Sequence, residues 1–173
     1  MNSRNRIGLS VIAMTVIGLS LLSGNALAQQ KSLKDQLVGA WALVSCDSTS
    51  ANGAKQPYCA DPNPNGILIL DASGRYAQVI AARGRPKFSI PNRSEAKAEE
   101  FKAAALGLVA NFGTWSVNEA DKTLTGHYEG ALFPNIEGTD VKSTVSLTGD
   151  ELKVIQPSPV LGGRSESIYR RAK

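Results

Sequence analysis

The chain has 173 residues, of which 42% are hydrophobic and 20% charged, and its formal net charge at pH 7 is +4. Nucleic acid binding depends on clustered Lys and Arg, and the longest basic run after the N-terminal segment is Arg170-Arg171, so the composition argues against a nucleic acid partner. A chain of this length has enough residues to bury one hydrophobic core.

The first 28 residues have the layout of a secretory signal peptide. Basic Arg4 and Arg6 precede an apolar stretch over residues 7–22, and the small-residue sequence Ala26-Leu27-Ala28 follows it. A membrane anchor would need roughly 20 apolar residues, and this stretch is interrupted by Gly, Ser and Thr. We therefore predict cleavage after Ala28, release to the periplasm or the exterior without a stable membrane anchor, and one domain over residues 29–173.

Cys46 and Cys59 are the two cysteines of the chain. In an oxidising compartment we expect them to form a disulfide that pins the turn-rich segment between them. A metal site is not expected, because no histidines cluster near them, and the chain lacks the Cys-x-x-Cys spacing of a redox pair.

The first part of the mature chain predicts strands around a turn-rich loop, followed by a helix. Alternating hydrophobicity favours strands over residues 40–47, 66–71 and 75–82, with a loop at 48–65, after a short helical turn at 33–39. The segment from Glu95 to Ala110 is rich in Ala, Glu and Lys and predicts the main helix, with Ser94 as its N-cap.

The second part predicts an antiparallel meander. Five short strands alternate with turns, at residues 112–118, 123–130, 139–147, 151–156 and 164–171. With the three earlier strands this predicts an all-β fold, an antiparallel up-and-down β-barrel of about eight strands with one inserted α-helix. A two-sheet sandwich is the alternative architecture.

Four segments resemble one known family. They are the opening Leu37-Val-Gly-Ala-Trp41, the middle Phe112-Gly-Thr-Trp115, the block from His127 to Thr139 that contains Leu-Phe-Pro-Asn, and the turn from Leu147 to Leu152. Together they resemble the lipocalin-like domain family over nearly the whole mature chain. The resemblance implies a calyx-like barrel, and it suggests that Arg171 stacks on Trp41 where the first and last strands meet.

His127 is the only histidine, so any Ser-His-Asp or Cys-His mechanism would have to use it. On an extended strand His127 and Glu129 share one face, and Tyr128 lies on the other. One interpretation makes His127 and Glu129 an outward-facing polar pair. The other directs them into a cavity, where they would bind a ligand or act as acid and base.

Several aromatic and polar side chains are candidates for lining an interior cavity, and the helix could cover an open end of the barrel. The candidate ligand-binding residues are Tyr76, Phe101, Trp115, His127, Tyr128, Glu129 and Phe133.

The sequence favours a protein that holds a small, largely apolar molecule inside its barrel and needs no cofactor. An isomerase, cyclase or hydrolase acting through His127 and Glu129 is the second hypothesis. An envelope interaction module with a filled barrel is the third.

Overall fold

The structure is a computed structural model, which describes residues 31–59, 61, 63, 65–157 and 162–173. The predicted signal peptide over residues 1–28, with its cleavage site after Ala28, lies outside the described residues. The helices are α1 (Leu33–Leu37) and α2 (Ala98–Leu106), and the strands are β1 (Gly39–Thr49), β2 (Asn65–Leu70), β3 (Arg75–Ala81), β4 (Leu108–Asn118), β5 (Thr123–Ala131), β6 (Asp140–Thr148), β7 (Glu151–Pro157) and β8 (Arg164–Arg171).

The eight strands form a closed antiparallel barrel in which every strand pairs with its neighbours along the chain. The ring closes between β1 and β8, whose register runs from Trp41 opposite Arg171 to Thr49 opposite Arg164. The predicted up-and-down barrel is therefore confirmed, and the sandwich alternative is wrong. Closure leaves none of the described strands with an unpaired edge, which removes the edges that could pair with other chains.

Alternation along each strand determines which side chains enter the barrel. In β6 the residues Val141, Ser143 and Val145 are buried, and those between them are exposed. In β8 the buried positions are Ser165, Ser167 and Tyr169. Because successive side chains of a strand point to opposite faces, these sets mark the interior, which includes serines as well as apolar residues.

One end of the barrel is densely packed. Its core contains Leu37, Trp41, Leu70, Leu152 and Tyr169, all of them almost completely buried. Helix α1 lies across this end, because the backbone N–H groups at its start donate to the Glu119 carboxylate in the β4–β5 turn, at 2.8 and 3.0 Å. We call this the closed end.

Arg171 joins the first and last strands at the closed end. Its guanidinium carbon lies 4.2 Å from the centroid of the Trp41 ring, within the range of a cation–π contact. The same group donates hydrogen bonds to the carbonyl oxygens of Val38 at 3.1 Å and Gln36 at 2.6 Å. Gly39 lies beneath it with φ of +138°, and a Cβ there would approach the guanidinium to 2.9 Å, so glycine suits this position.

The main helix is shorter than predicted at both ends. Ser94 is not its N-cap but belongs to a separate 3-10 turn over Arg93–Glu95, where the Asn92 side chain accepts from the Ser94 N–H. The Glu100 carboxylate accepts from the Lys97 N–H at 2.9 Å and fixes the first turn of α2. Hydrogen bonds from Lys97 and Ser89 also lower the pKa of Glu100.

The C-terminal end of this helix differs from the prediction for another reason. Residues 108–110 leave the helix because they pair with β3, with Val109 opposite Ile80. Sheet pairing therefore overrides the local helical preference of this segment.

The predicted disulfide between Cys46 and Cys59 is confirmed, with Cα atoms 5.1 Å apart. It joins β1 to the 3-10 turn over Pro57–Cys59. The Gln56 N–H donates to the Ser48 carbonyl at 2.8 Å, so the chain before the turn folds back along β1 and buries Gln56.

Arg171→Met should lower the free energy of unfolding by about 2 kcal/mol, because it removes the contact with Trp41 and two charge-assisted hydrogen bonds. The matched control is Arg170→Met, an exposed neighbour on the same strand, which should change stability by less than about 0.5 kcal/mol. Urea unfolding followed by tryptophan fluorescence measures both variants. Equal losses in the free energy of unfolding would show that Arg171 does not stabilise the pairing of β1 with β8.

Reduction of the disulfide should lower the free energy of unfolding by about 3 kcal/mol, since the bond closes a loop with a sequence separation of 13 residues. Thermal unfolding with and without a reducing agent measures the loss. A double variant, Cys46→Ser with Cys59→Ser, should have the melting temperature of the reduced protein, and a reducing agent should not change it. A wild-type melting temperature that is insensitive to reduction would contradict the expectation.

Candidate functional site

The barrel is hollow at the end opposite α1. A cavity of about 250 Å³ opens there. It lies between the ends of the strands, the C-terminal end of α2 and the segment at Gln56 and Pro57, where the 3-10 turn begins. We call it the mouth cavity. At a liquid volume of about 30 Å³ per water it holds the equivalent of about eight waters, so it suits a small ligand.

One wall of the mouth cavity is apolar. Val109 faces inward from β4, opposite the buried side chain of Ile80. Side chains from β5, from the loop after it and from α2 continue this wall, and those at the rim are half-exposed. The wall consists of Leu106, Leu108, Val109, Ala131, Leu132, Phe133 and Ile136.

A bulge shapes this wall where β4 meets β5. Phe112 pairs with Gly130 and Gly113 pairs with Tyr128, so Glu129 is the additional residue. A Cβ on Gly113 would lie 1.9 Å from the His127 carbonyl oxygen, so no larger residue fits without moving the backbone. Bulges of this kind bend a strand and redirect its side chains.

The other wall is polar but uncharged. Gln156 on β7 lies directly opposite Ser165 on β8, and both line the cavity. Gln56 joins them from the segment held by the disulfide. All three side chains are buried or partly buried, and an amide or hydroxyl group in such a place needs a hydrogen-bond partner.

The floor of the mouth cavity is a hydrogen-bonded layer. The Gln78 amide nitrogen donates to the Tyr169 hydroxyl at 2.9 Å, and the Asn111 amide nitrogen donates to the Gln78 oxygen at 3.3 Å. Across the layer, the Ser143 hydroxyl donates to the Gln156 oxygen at 3.3 Å. Full burial raises the pKa of Tyr169, so its hydroxyl stays protonated and the layer stays neutral.

A much smaller space of about 40 Å³ lies beneath this layer, large enough for about one water. The Tyr76 hydroxyl and the Asn111 side-chain oxygen are buried beside it, and neither has a hydrogen-bond partner among the described residues. Burial is the main cause that raises the pKa of Tyr76, and electrostatic interaction with Tyr128 and Glu129 adds to it. Tyr76 is therefore a neutral phenol at physiological pH.

The structure separates the predicted ligand-binding residues into three groups. Tyr128 and Phe133 line the mouth cavity, and Tyr76 lines the smaller space beneath it. Trp115 and Phe101 reach neither of them. Trp115 belongs to the core of the closed end, where its indole N–H donates to the Asp71 carbonyl at 3.0 Å. Phe101, on α2, packs edge-on against Phe88.

His127 and Glu129 lie on the outer face, as the outward-facing interpretation expects, and neither lines the mouth cavity or the space beneath it. The alternative, in which they point into the interior as ligand partners or as acid and base, is corrected. His127 Nδ1 is 2.7 Å from an Asp140 carboxylate oxygen, and Glu129 forms a two-point ion pair with Arg75 at 2.6 and 2.7 Å. The cause is alternation: Gly126 and Tyr128 take the inward positions of β5 and leave His127 outside.

Sequence reasoning missed the polar residues of the cavity, which are Gln56, Gln78, Asn111, Gln156 and Ser165. Some of them carried a usable signal. Gln78 lies two residues from Tyr76 and Ile80 on β3, and Ser165 lies four residues before Tyr169 on β8, so each shares a face with an aromatic or aliphatic residue. Gln56 gave no such signal, because a turn positions it.

No group of three or more His, Cys, Asp or Glu side chains within the described ranges is arranged to hold a metal ion. The described helices also include none that is long and apolar enough to cross a membrane.

One protein family matches most of the chain. The family described as the lipocalin-like domain matches residues 38–171. Two solved structures are similar, both of mutants of the fluorescent protein UnaG, with 13% and 14% sequence identity and a TM-score of 0.37 each. They cover 80% of this chain, and the match spans 97% and 98% of theirs. No curated protein matches the sequence. The match over residues 38–171 spans all eight strands, and the chain belongs to the lipocalin-like domain family.

Proposed function

We propose that this protein is exported and binds a small, largely apolar molecule in the mouth cavity. The observation that carries the proposal is the division of the barrel into a packed closed end and a hollow open end with an apolar wall. Small-molecule sites in proteins are concave and mostly apolar, with a few polar groups that orient the ligand. The lipocalin-like fold is consistent with this use.

Burial of apolar ligand surface would supply most of the affinity. Transfer of apolar surface out of water contributes roughly 25 cal/mol per Å². Val109 and Ala131 form the inner part of the apolar wall, and Leu106, which is 54% exposed, marks its rim. A ligand that contacts both parts would cover hydrophobic surface that otherwise faces water.

The proposal of export depends on the N-terminal sequence and is supported by the disulfide. Residues 1–28 have the order of a secretory signal, and disulfides persist in oxidising compartments. Mass spectrometry of the protein from its natural source tests this part: we expect a mature chain that begins at Gln29, and a chain retaining Arg4 and Arg6 would contradict it.

Val109→Trp should lower the affinity for N-phenyl-1-naphthylamine at least tenfold, about 1.4 kcal/mol, because the indole occupies the space of the ligand. This neutral dye fluoresces more strongly in apolar sites, so a fluorescence titration gives its Kd. The matched control is Val79→Trp on the adjacent strand, which faces outward and should leave the Kd unchanged. A loss confined to Val79→Trp would place binding on the outer surface.

His127→Ala should leave the affinity for the same dye within about twofold of wild type, since the imidazole is outside the barrel and paired with Asp140. An exposed polar pair of this kind contributes at most about 1 kcal/mol to stability, so the variant should also fold normally. The same titration measures it. A tenfold loss of affinity would mean that His127 acts at the cavity.

A further inference from the structure

We infer that the mouth cavity selects an uncharged ligand whose polar group hydrogen-bonds to the pair Gln156 and Ser165. This inference rests on the proposed function and specifies the chemical class of its ligand. That class is a small neutral amphipathic molecule, with an amide, carbonyl or hydroxyl at one end and an apolar body at the other.

The two walls of the cavity face each other. β4 and β8 are four strands apart in a closed ring of eight, so they lie on opposite sides of the lumen. Val109 comes from β4, and Ser165 comes from β8 with Gln156 beside it on β7. A bound molecule therefore meets apolar side chains on one side and amide or hydroxyl groups on the other.

The polar wall has hydrogen-bonding capacity that the fold does not use. The Gln156 oxygen accepts from Ser143, but the Gln156 amide nitrogen makes no hydrogen bond within the described part of the chain. The Ser165 hydroxyl likewise makes no side-chain hydrogen bond to any described residue. A purely hydrocarbon ligand would displace water from these groups without replacing its hydrogen bonds, which weakens binding.

Within the described part of the chain, the cavity wall carries no charge. The 16 described residues that line it are all uncharged, from Gln56 to Ser165. The nearby ion pair of Arg75 with Glu129 lies on the outer face and is internally neutralised. An ionised carboxylate or ammonium group inside the cavity would lose hydration and find no counter-ion among the lining residues, which is a large penalty even when neutral groups form hydrogen bonds with it.

The test compares two ligands of nearly the same shape, 2-naphthamide and 2-naphthoate, by isothermal titration calorimetry at neutral pH. The amide should bind at least about 30-fold more tightly than the carboxylate, because only the carboxylate is charged. Lowering the pH towards the pKa of the naphthoic acid itself should strengthen its binding, since the neutral acid then becomes available.

A variant tests whether Gln156 binds the polar group of the amide. Gln156→Leu should lower the affinity for 2-naphthamide at least tenfold and leave that for N-phenyl-1-naphthylamine within threefold. The matched control is Gln36→Leu, the same change at the closed end, which should alter neither. Should Gln156→Leu fail to fold, Ser165→Ala replaces it, with the exposed Ser146→Ala as its control and an expected threefold loss for the amide.

The outcomes separate the inference from the proposed function. If the carboxylate binds as tightly as the amide, or if the dye binds and the amide does not, the inference is wrong and the proposed function stands. If neither the dye nor the amide binds to wild type, the proposed function itself is wrong. The wild-type comparison needs no variant, so a folding defect cannot hide the result.

Discussion

Closure of the strand ring is the constraint on which the rest of this structure depends. Pairing between β1 and β8 converts a linear meander into a surface with an inside, and it brings Arg171 at the end of the chain onto Trp41 near its start. A contact between residues so far apart in sequence forms only when the whole barrel is assembled. The interior, the cavity and any ligand selectivity follow from that closure.

The closed barrel divides its interior between stability and binding. The closed end buries Trp41, Leu37 and Leu152 completely, and it supplies the hydrophobic core. The open end places serines, glutamines and an asparagine inside, where they contribute little hydrophobic free energy. This polar half is tolerated because neighbouring side chains satisfy part of its hydrogen bonding, as in the chain from Asn111 through Gln78 to Tyr169. Hydrogen-bonding groups that the fold does not use remain at the polar wall of the mouth cavity, where a ligand would lie.

The sequence predicted the architecture better than the site, for physical reasons. Strand β8 was predicted with its observed bounds, because the turn residues Gly162-Gly163 before it and the hairpin spacing are local signals. The predicted helix overran into β4 because residues 108–110 form a strand only through pairing with β3, a non-local interaction. The aromatic candidates were identified by type, but Trp115 lies in the core and Tyr128 in the cavity, and only the position along the barrel axis distinguishes them. The polar wall depends on cross-strand register between Gln156 and Ser165, which no local pattern specifies.

Crystals of the protein pressurised with xenon test the central claim most directly, because xenon occupies apolar cavities that are open and unfilled. The account predicts a xenon atom in the mouth cavity in contact with Val109 and Ala131, and none among the core side chains around Trp41. An open end filled by its own side chains, with no xenon inside the barrel, would contradict it.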